Sequence, residues 1–405
     1  MGDPLFAHGV DLGVVVIVLV KAVVAFGFLL VSVMLMIWFE RKVISDMQNR
    51  IGPNRAGKFG ILQTLADGVK LFFKEDLLPE RADRVVYRLA PFLSVVPAFL
   101  IFAIVPFGGV VTIAHHVVEL QVADPPIGIL FVLALSSVAV YGVMLAGWSS
   151  GSKYPLLGAV RASAQMISYE AALGLTVVAV ILESHGLSTR AIVDSQAQRF
   201  WHWNALRLWL VPFVVFFIAG TAELNRPPFD LAEGESELGG GFHTEYSSIR
   251  FAMFYLAEFM NTITMSAVVV TLFFGGPDGP GFHVVRWLWP ILWFLGKTFV
   301  FLYIQVWIRA ALPRLRYDQL MNVGWKWLIP LSLGWLLLVA AAQVSKSWGF
   351  GVFGGIIATG LLLARARATS RRRRERLARP RPPGPDGPDG LVASGTVAER
   401  ARAGG

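Results

Sequence analysis

Long apolar runs broken by short charged segments set the pattern of this chain. Charge-free stretches cover residues 22–39, 89–114, 125–152, 208–222, 327–345 and 347–364, and residues 12–20 extend the first of them outward past Lys21. Three more runs, 162–182, 251–274 and 287–308, each enclose one ionisable residue, respectively Glu170, Glu258 and Lys297. A hydrocarbon core about 30 Å thick takes roughly 20 apolar residues as a helix, so the pattern predicts nine membrane helices. The fifth is short, which puts Glu223 at its inner end. Pro97, Pro212, Pro290 and Pro330 fall inside predicted helices, where neighbouring helices can satisfy the freed carbonyls. In the first polar segment, Ile61, Leu65, Val69, Phe72 and Phe73 recur at helical spacing with Asp67, Lys70 and Lys74 elsewhere on the helix. This predicts an amphipathic helix at the interface. No internal repeat is evident.

Composition agrees with a membrane chain. Only 16% of the 405 residues are charged, against about a quarter in a soluble domain, and mean hydropathy is +0.60. The charge of +9 is unevenly placed: residues 365–405 carry 11 Arg against four acids, so the rest of the chain holds only +2. The membrane body is therefore no nucleic-acid surface. With the N-terminus outside, the inner segments 40–89, 149–161, 225–250 and 309–326 hold 18 Lys and Arg, against five in the outer segments. The positive-inside rule fixes that orientation and puts the arginine-rich tail on the cytoplasmic side. The expected organisation is a membrane domain of eight helices over 1–346, an extra span over 347–366, and a basic, Pro/Gly-rich disordered tail over 367–405.

Cysteine is absent, which excludes protein-ligated iron–sulfur clusters, thiol nucleophiles and disulfides in this chain. The seven histidines lie in loops or at termini, so intramembrane haem ligation is not expected, nor is a metal site. No phosphate-binding loop or dinucleotide fingerprint occurs. If the chain serves redox chemistry, a partner brings the electrons.

The ionisable groups at membrane depth carry the chemistry. A charge at the bilayer centre costs about 2.5–3.5 kcal/mol on insertion scales, so each asks for a reason. Glu40 ends the first helix, Glu170 is near mid-helix, Glu223 closes the fifth helix and Glu258 sits inside the sixth. Between those last two, DLAEGESEL crowds Asp230, Glu233, Glu235 and Glu237 into eight residues. Carboxyls crowded in a poorly hydrated loop repel one another and hold protons more tightly, as a relay requires. The alternative for each is an ion pair with Arg or Lys that holds helices together. Arg41, Arg50 and Arg55 flank the Gly52–Pro53–Asn54 turn, either lining a cavity for a polar head group or binding lipid phosphate.

Four segments resemble one family closely: ERKVISDMQNRIGPNRAGKFGILQTLADGVKLFFKE, SKYPLLGAVRASAQMISYEAALG, AELNRPPFDLAEGESELGGGFHTEY and WIRAALPRLRYDQLMNVGWK. They are similar to the quinone-site membrane subunit of respiratory complex I, the proton-translocating NADH:quinone oxidoreductase. The resemblance implies an all-α polytopic bundle of eight membrane helices, and the run at 347–364 departs from it. It implies a subunit that is inactive alone and binds no cofactor itself. Quinone (ubiquinone or menaquinone) would be the substrate, with FMN and iron–sulfur clusters in partner subunits. Partners would be two peripheral quinone-site subunits, small and antiporter-like membrane subunits, and lipid, in a bacterial plasma membrane. Arg41, Arg50, Asp67, Tyr255, Leu256 and Arg309 match quinone-channel positions. Glu40, Glu170, Glu223, Glu233, Glu235, Glu237 and Glu258 match the family's chain of carboxylates. The related alternative is the anchor subunit of a membrane-bound hydrogenase or deazaflavin-dependent dehydrogenase. From other classes come a self-contained cation transporter and a purely structural anchor.

Overall fold

A computed structural model of the chain describes residue 5 and residues 11–113, 116–197, 199–231, 239–280, 287–345, 348–349, 351–352 and 354–355. In chain order its main helices are α1 (Leu12–Met47), α2 (Gln63–Phe73), α3 (Arg84–Phe102), α4 (Gly128–Ser149), α5 (Lys153–Ser184), α6 (Thr189–Gln196), α7 (Val211–Glu223), α8 (Ser248–Phe273), α9 (Leu288–Ala311) and α10 (Tyr317–Val344). All but α2, α6 and α7 are long and apolar enough to cross a membrane. The apolar α7 spans 13 residues, about 20 Å at 1.5 Å per residue, and ends on Glu223. The result is an all-α membrane bundle. One compact unit runs to Val344; of the unit that follows, Ser345–Gly405, only isolated positions are described. Six positions of the expected ninth span are described, Trp348, Gly349, Gly351, Val352, Gly354 and Gly355; the rest of it and the basic tail lie outside the described residues.

Element boundaries differ from the apolar runs in three places. The second run is not helical to residue 114: α3 stops at Phe102, and β1 (Val110–Ile113) pairs antiparallel with β2 (His116–Glu119). Pro106, Gly108 and Gly109 break the helix, and the β-branched residues beyond them suit a hairpin. Helix α5 starts at Lys153, so Arg161 is helical and the inner segment 149–161 shrinks to a few residues. Helix α10 likewise begins at Tyr317 and passes Lys326 through a π turn at Gly324–Leu328.

Helix α8 is the most buried span and packs against α1, α3 and α9. It tolerates buried hydroxyls because Thr262, Thr264, Ser266 and Thr271 each donate to the carbonyl four residues back on the same helix. Helix α3 holds two prolines, and Pro91 cannot donate to the carbonyl of Tyr87. The Tyr246 hydroxyl donates to that carbonyl instead, at 3.1 Å, while the two tyrosine rings stack at 4.0 Å. Lys297 has a structural use as well. Its Nζ donates to the carbonyls of Phe274, Gly276 and Asp278 at 2.8, 3.1 and 2.6 Å, capping the end of α8.

Helix α1 runs some 54 Å, longer than a hydrocarbon core is thick, so its C-terminal turns can stand clear of one. The chain then folds back on itself. A Cβ at Gly52 would lie 2.3 Å from Ser45 Oγ, and one at Gly60, whose φ is +76°, would lie 2.4 Å from the Pro53 carbonyl. Only glycine allows both approaches, which bring Arg50 and Pro53 beside the end of α1.

Candidate functional site

Four of the residues expected at a quinone channel line one cavity by the C-terminal end of α1. Arg41, Arg50, Tyr255 and Arg309 surround about 330 Å³ together with Glu40, Ile37, Ile44, Pro53 and Phe259. Asp67 does not line it. Its carboxylate pairs with Arg41 at 2.6 Å and accepts from Gln63 Nε2 at 3.0 Å, so it holds the Arg41 guanidinium from the far side. Leu256 packs into the main core next to this wall. The cavity offers cations to a polar head group, and aromatic and aliphatic surface to an apolar one.

Glu40 connects this cavity to the interior. It accepts from Arg309 and, at 2.8 Å, from Arg226 Nη1; the Nε of Arg226 reaches Glu258 at 2.7 Å. The Arg226 guanidinium also lies over the Phe259 ring, 4.1 Å from its centre. Arg226 and Glu40 are both buried, with side chains 7% and 6% exposed. Arg226 is held by its neighbours in sequence, because Gln165 Nε2 donates to the carbonyls of Ala222 and Phe229, both at 2.7 Å, pinning the two ends of its turn.

Beyond Glu258 a second cavity, of about 70 Å³, is lined by Glu258, Asn261, Tyr255, His243, Asn225 and Glu223. A third, of about 60 Å³, shares Glu223, Asn261 and Met166 and adds Ser136 and Thr264. Each has room for a few waters at about 10–15 Å³ apiece. Consecutive serines of α4 then face two carboxylates: Ser136 lines the third cavity together with Glu223, and Ser137 donates to Glu170, which lies within electrostatic reach of Glu223. Glu40, Glu258, Glu223 and Glu170 thus follow one another from the arginine-lined cavity into the bundle. Glu233, Glu235 and Glu237 lie outside the described residues.

Comparison with known proteins gives this geometry its context. A family model described as NADH dehydrogenase matches residues 20–340. The H subunit of the NADH-quinone oxidoreductase of Frankia casuarinae is 51% identical over 355 residues, 84% of this chain and 78% of its own length. The same subunit of Frankia alni is 52% identical over 333 residues, 81% and 73% of the two chains. That of Streptomyces avermitilis is 49% identical over 340 residues, 82% and 74%. This chain belongs to the NADH dehydrogenase family.

For a member of this family, residues that no charge or spacing pattern marks stand out. In the sequence Arg226 is one of two arginines in the polar segment 225–250, and no spacing rule ties it to Glu40, 186 positions earlier. Its signal is the arginine set against PPFD just past the C-terminal end of a membrane helix, where a buried carboxylate needs a cation. Gln165, Ser136 and Ser137 carry no charge, although a serine pair in an apolar helix needs acceptors.

His243 adds a pH dependence. It lies outside the spans, with its ring edge-on to Phe242 and Phe251, and burial pushes its pKa down to about 4 from the usual 6.5. The folded chain thus resists protonating it while the unfolded chain does not. Its contribution is fully present above pH 6.5 and is lost as pH falls towards 4. Thermal unfolding of the detergent-solubilised complex should show a smaller drop in Tm between about pH 7.5 and 5 in a His243→Gln variant than in the parent. Equal drops would show that His243 does not contribute.

Proposed function

We propose that this chain is the membrane subunit that forms the inner wall of a quinone site in an NADH:quinone oxidoreductase and passes the resulting charge change inward through carboxylates. The reading rests on one observation: the arginine-lined cavity of about 330 Å³ abuts Glu40, the first of four successive acids. Arg41, Arg50 and Arg309 orient the polar head of the quinone, with Asp67 steadying Arg41. Tyr255, with Leu256 packed behind it, contacts the ring and tail. Two electrons arrive from an iron–sulfur cluster of a peripheral partner, itself fed through FMN. Quinol formation takes up two protons, and the negative charge that precedes protonation is felt first by Glu40 and its arginines.

The change then travels through Arg226 to Glu258, Glu223 and Glu170, with Glu233, Glu235 and Glu237 of the acidic segment supplying protons. Antiporter-like and small membrane subunits receive it. The chain works only in that assembly, in a bacterial plasma membrane, with its N-terminus outside and its tail in the cytoplasm. To test this, the tagged chain is drawn from membranes in mild detergent and assayed for inhibitor-sensitive quinone reduction by NADH. Arg50→Ala is expected to lower that rate about tenfold, the effect of roughly 1.4 kcal/mol of lost binding. NADH oxidation by ferricyanide, which bypasses the quinone, stays unchanged. Full quinone reduction in both Arg41→Ala and Arg50→Ala would remove the cavity from the function.

A further inference from the structure

Helix α2 presents a positional problem. It has 11 residues and buries none of them fully, and helices this short are marginal alone in water. Yet it carries Asp67, whose pairing with Arg41 sets one wall of the arginine-lined cavity. Something other than core packing must hold it in place.

The first turn of α8 supplies the hold, through side chains that reach across 170 positions of sequence. Ser248 is buried, and its hydroxyl lies 3.0 Å from the carbonyl of Leu71 and 2.8 Å from that of Lys74, capping the open end of α2. Ser247 Oγ accepts from the Leu77 N–H at 2.8 Å and contacts the Glu75 carbonyl at 3.2 Å. Arg250 pairs with Asp76 at 2.9 Å and lies 5.4 Å from the centre of the Tyr87 ring, while the Tyr87 hydroxyl donates to the carbonyl of Glu245 at 2.8 Å. Ser248 reaches its acceptors from a left-handed backbone, φ +54°, that a serine rarely adopts. Two turns further along α8, Tyr255 lines the cavity, and Glu258 follows it.

The geometry points to Ser247, Ser248 and Arg250 as positioning residues for the quinone cavity: a polar clamp through which α8 sets where α2, and with it the Asp67–Arg41 pair, stands. It closes a ring around the cavity, from Arg41 on α1 through Asp67 and α2 to the foot of α8 and on to Tyr255. Arg41, Arg50 and Arg309 need not change for quinone affinity to change.

This inference rests on the quinone-cavity reading, and its test separates the two. Assembled complexes carrying Ser248→Gly, Arg250→Asp, or Arg250→Asp with Asp76→Arg are assayed with a short-chain quinone analogue, alongside Arg41→Ala. Glycine relieves the left-handed backbone while removing the cap, so any loss it causes belongs to the hydroxyl. Ser248→Gly should raise KM about fivefold, the effect of one hydrogen bond of roughly 1 kcal/mol. Its kcat and protons pumped per electron stay at parental values. Arg250→Asp should raise KM similarly, and the charge exchange with Asp76→Arg should restore it. If Arg41→Ala raises KM and the clamp variants do not, the clamp is overturned and the cavity reading stands. If none of them raises KM, both fall. A loss of kcat or of assembled complex at unchanged KM would reduce these residues to a structural role and overturn the proposal.

Discussion

An Arg226→Ala chain is expected to enter the membrane and then fail to accumulate in assembled complexes. The guanidinium joins two carboxylates from different helices, Glu40 of α1 and Glu258 of α8, in a place where little water reaches. Removing one partner of a buried ion pair typically costs about 3–5 kcal/mol, because the other charge stays desolvated. Here Glu258 would lose its described cation, and Glu40 would keep only Arg309 of its two. Against a usual net stability of about 5–15 kcal/mol, that loss is large. Native gel electrophoresis of solubilised membranes would show it as a depleted band.

A triple variant separates packing from chemistry. Arg226→Met with Glu40→Gln and Glu258→Gln removes all three charges at similar volume, and hydrophobic or neutral replacement of a buried network is often tolerated. It should recover assembly while leaving quinone reduction defective. Normal assembly of Arg226→Ala alone would show that the network adds nothing to stability. Recovery of full activity in the triple variant would show that its charges add nothing to function.

This network also marks how far the sequence can be read. Eight of the nine predicted spans have described helices, because an apolar run of membrane length has few other uses in so uncharged a chain. Absence of charge locates burial but not conformation. It ran the second span on to residue 114, through a stretch that the structure folds as a hairpin, and it began the fourth span nine residues after Lys153, where α5 starts. Lys and Arg at a helix end can reach the interface along their own stems, so Arg161 and Lys326 can be helical and still keep their charges in water.

The candidate site divides the same way. Glu40, Arg41, Arg50 and Asp67 are separated by fewer than 30 positions, and a turn forced by Gly52 and Gly60 makes their proximity legible. The linkage of Glu40 to Glu258 is not legible, since it runs through Arg226, on a turn whose position Gln165 sets from another helix. Helix-joining pairs account for only some of the acids. Glu40 and Glu258 are paired, whereas Glu223 and Glu170 face serines.

That difference singles out Glu223 for the other large effect. It is the acid common to both inner cavities, one shared with Glu258 and one lined by Ser136 next to Glu170. A proton passing from Glu258 to Glu170 through these cavities must cross at this position, because the other shared polar residue, Asn261, has no proton to exchange at ordinary pH. Glu223→Gln keeps the shape and a hydrogen-bond acceptor but removes the exchangeable proton. Pumping driven by NADH in reconstituted vesicles should fall at least about tenfold, or roughly 1.4 kcal/mol on the limiting barrier. Quinone reduction should fall with it if the two are tightly coupled, and ferricyanide reduction should not change. Glu223→Asp, one methylene shorter, should fall between parent and Gln. Glu183→Gln serves as the control, since Glu183 pairs with Arg207 at 2.8 Å, away from both cavities. Parental pumping in Glu223→Gln would mean that protons take another route, and the four acids would no longer form a path.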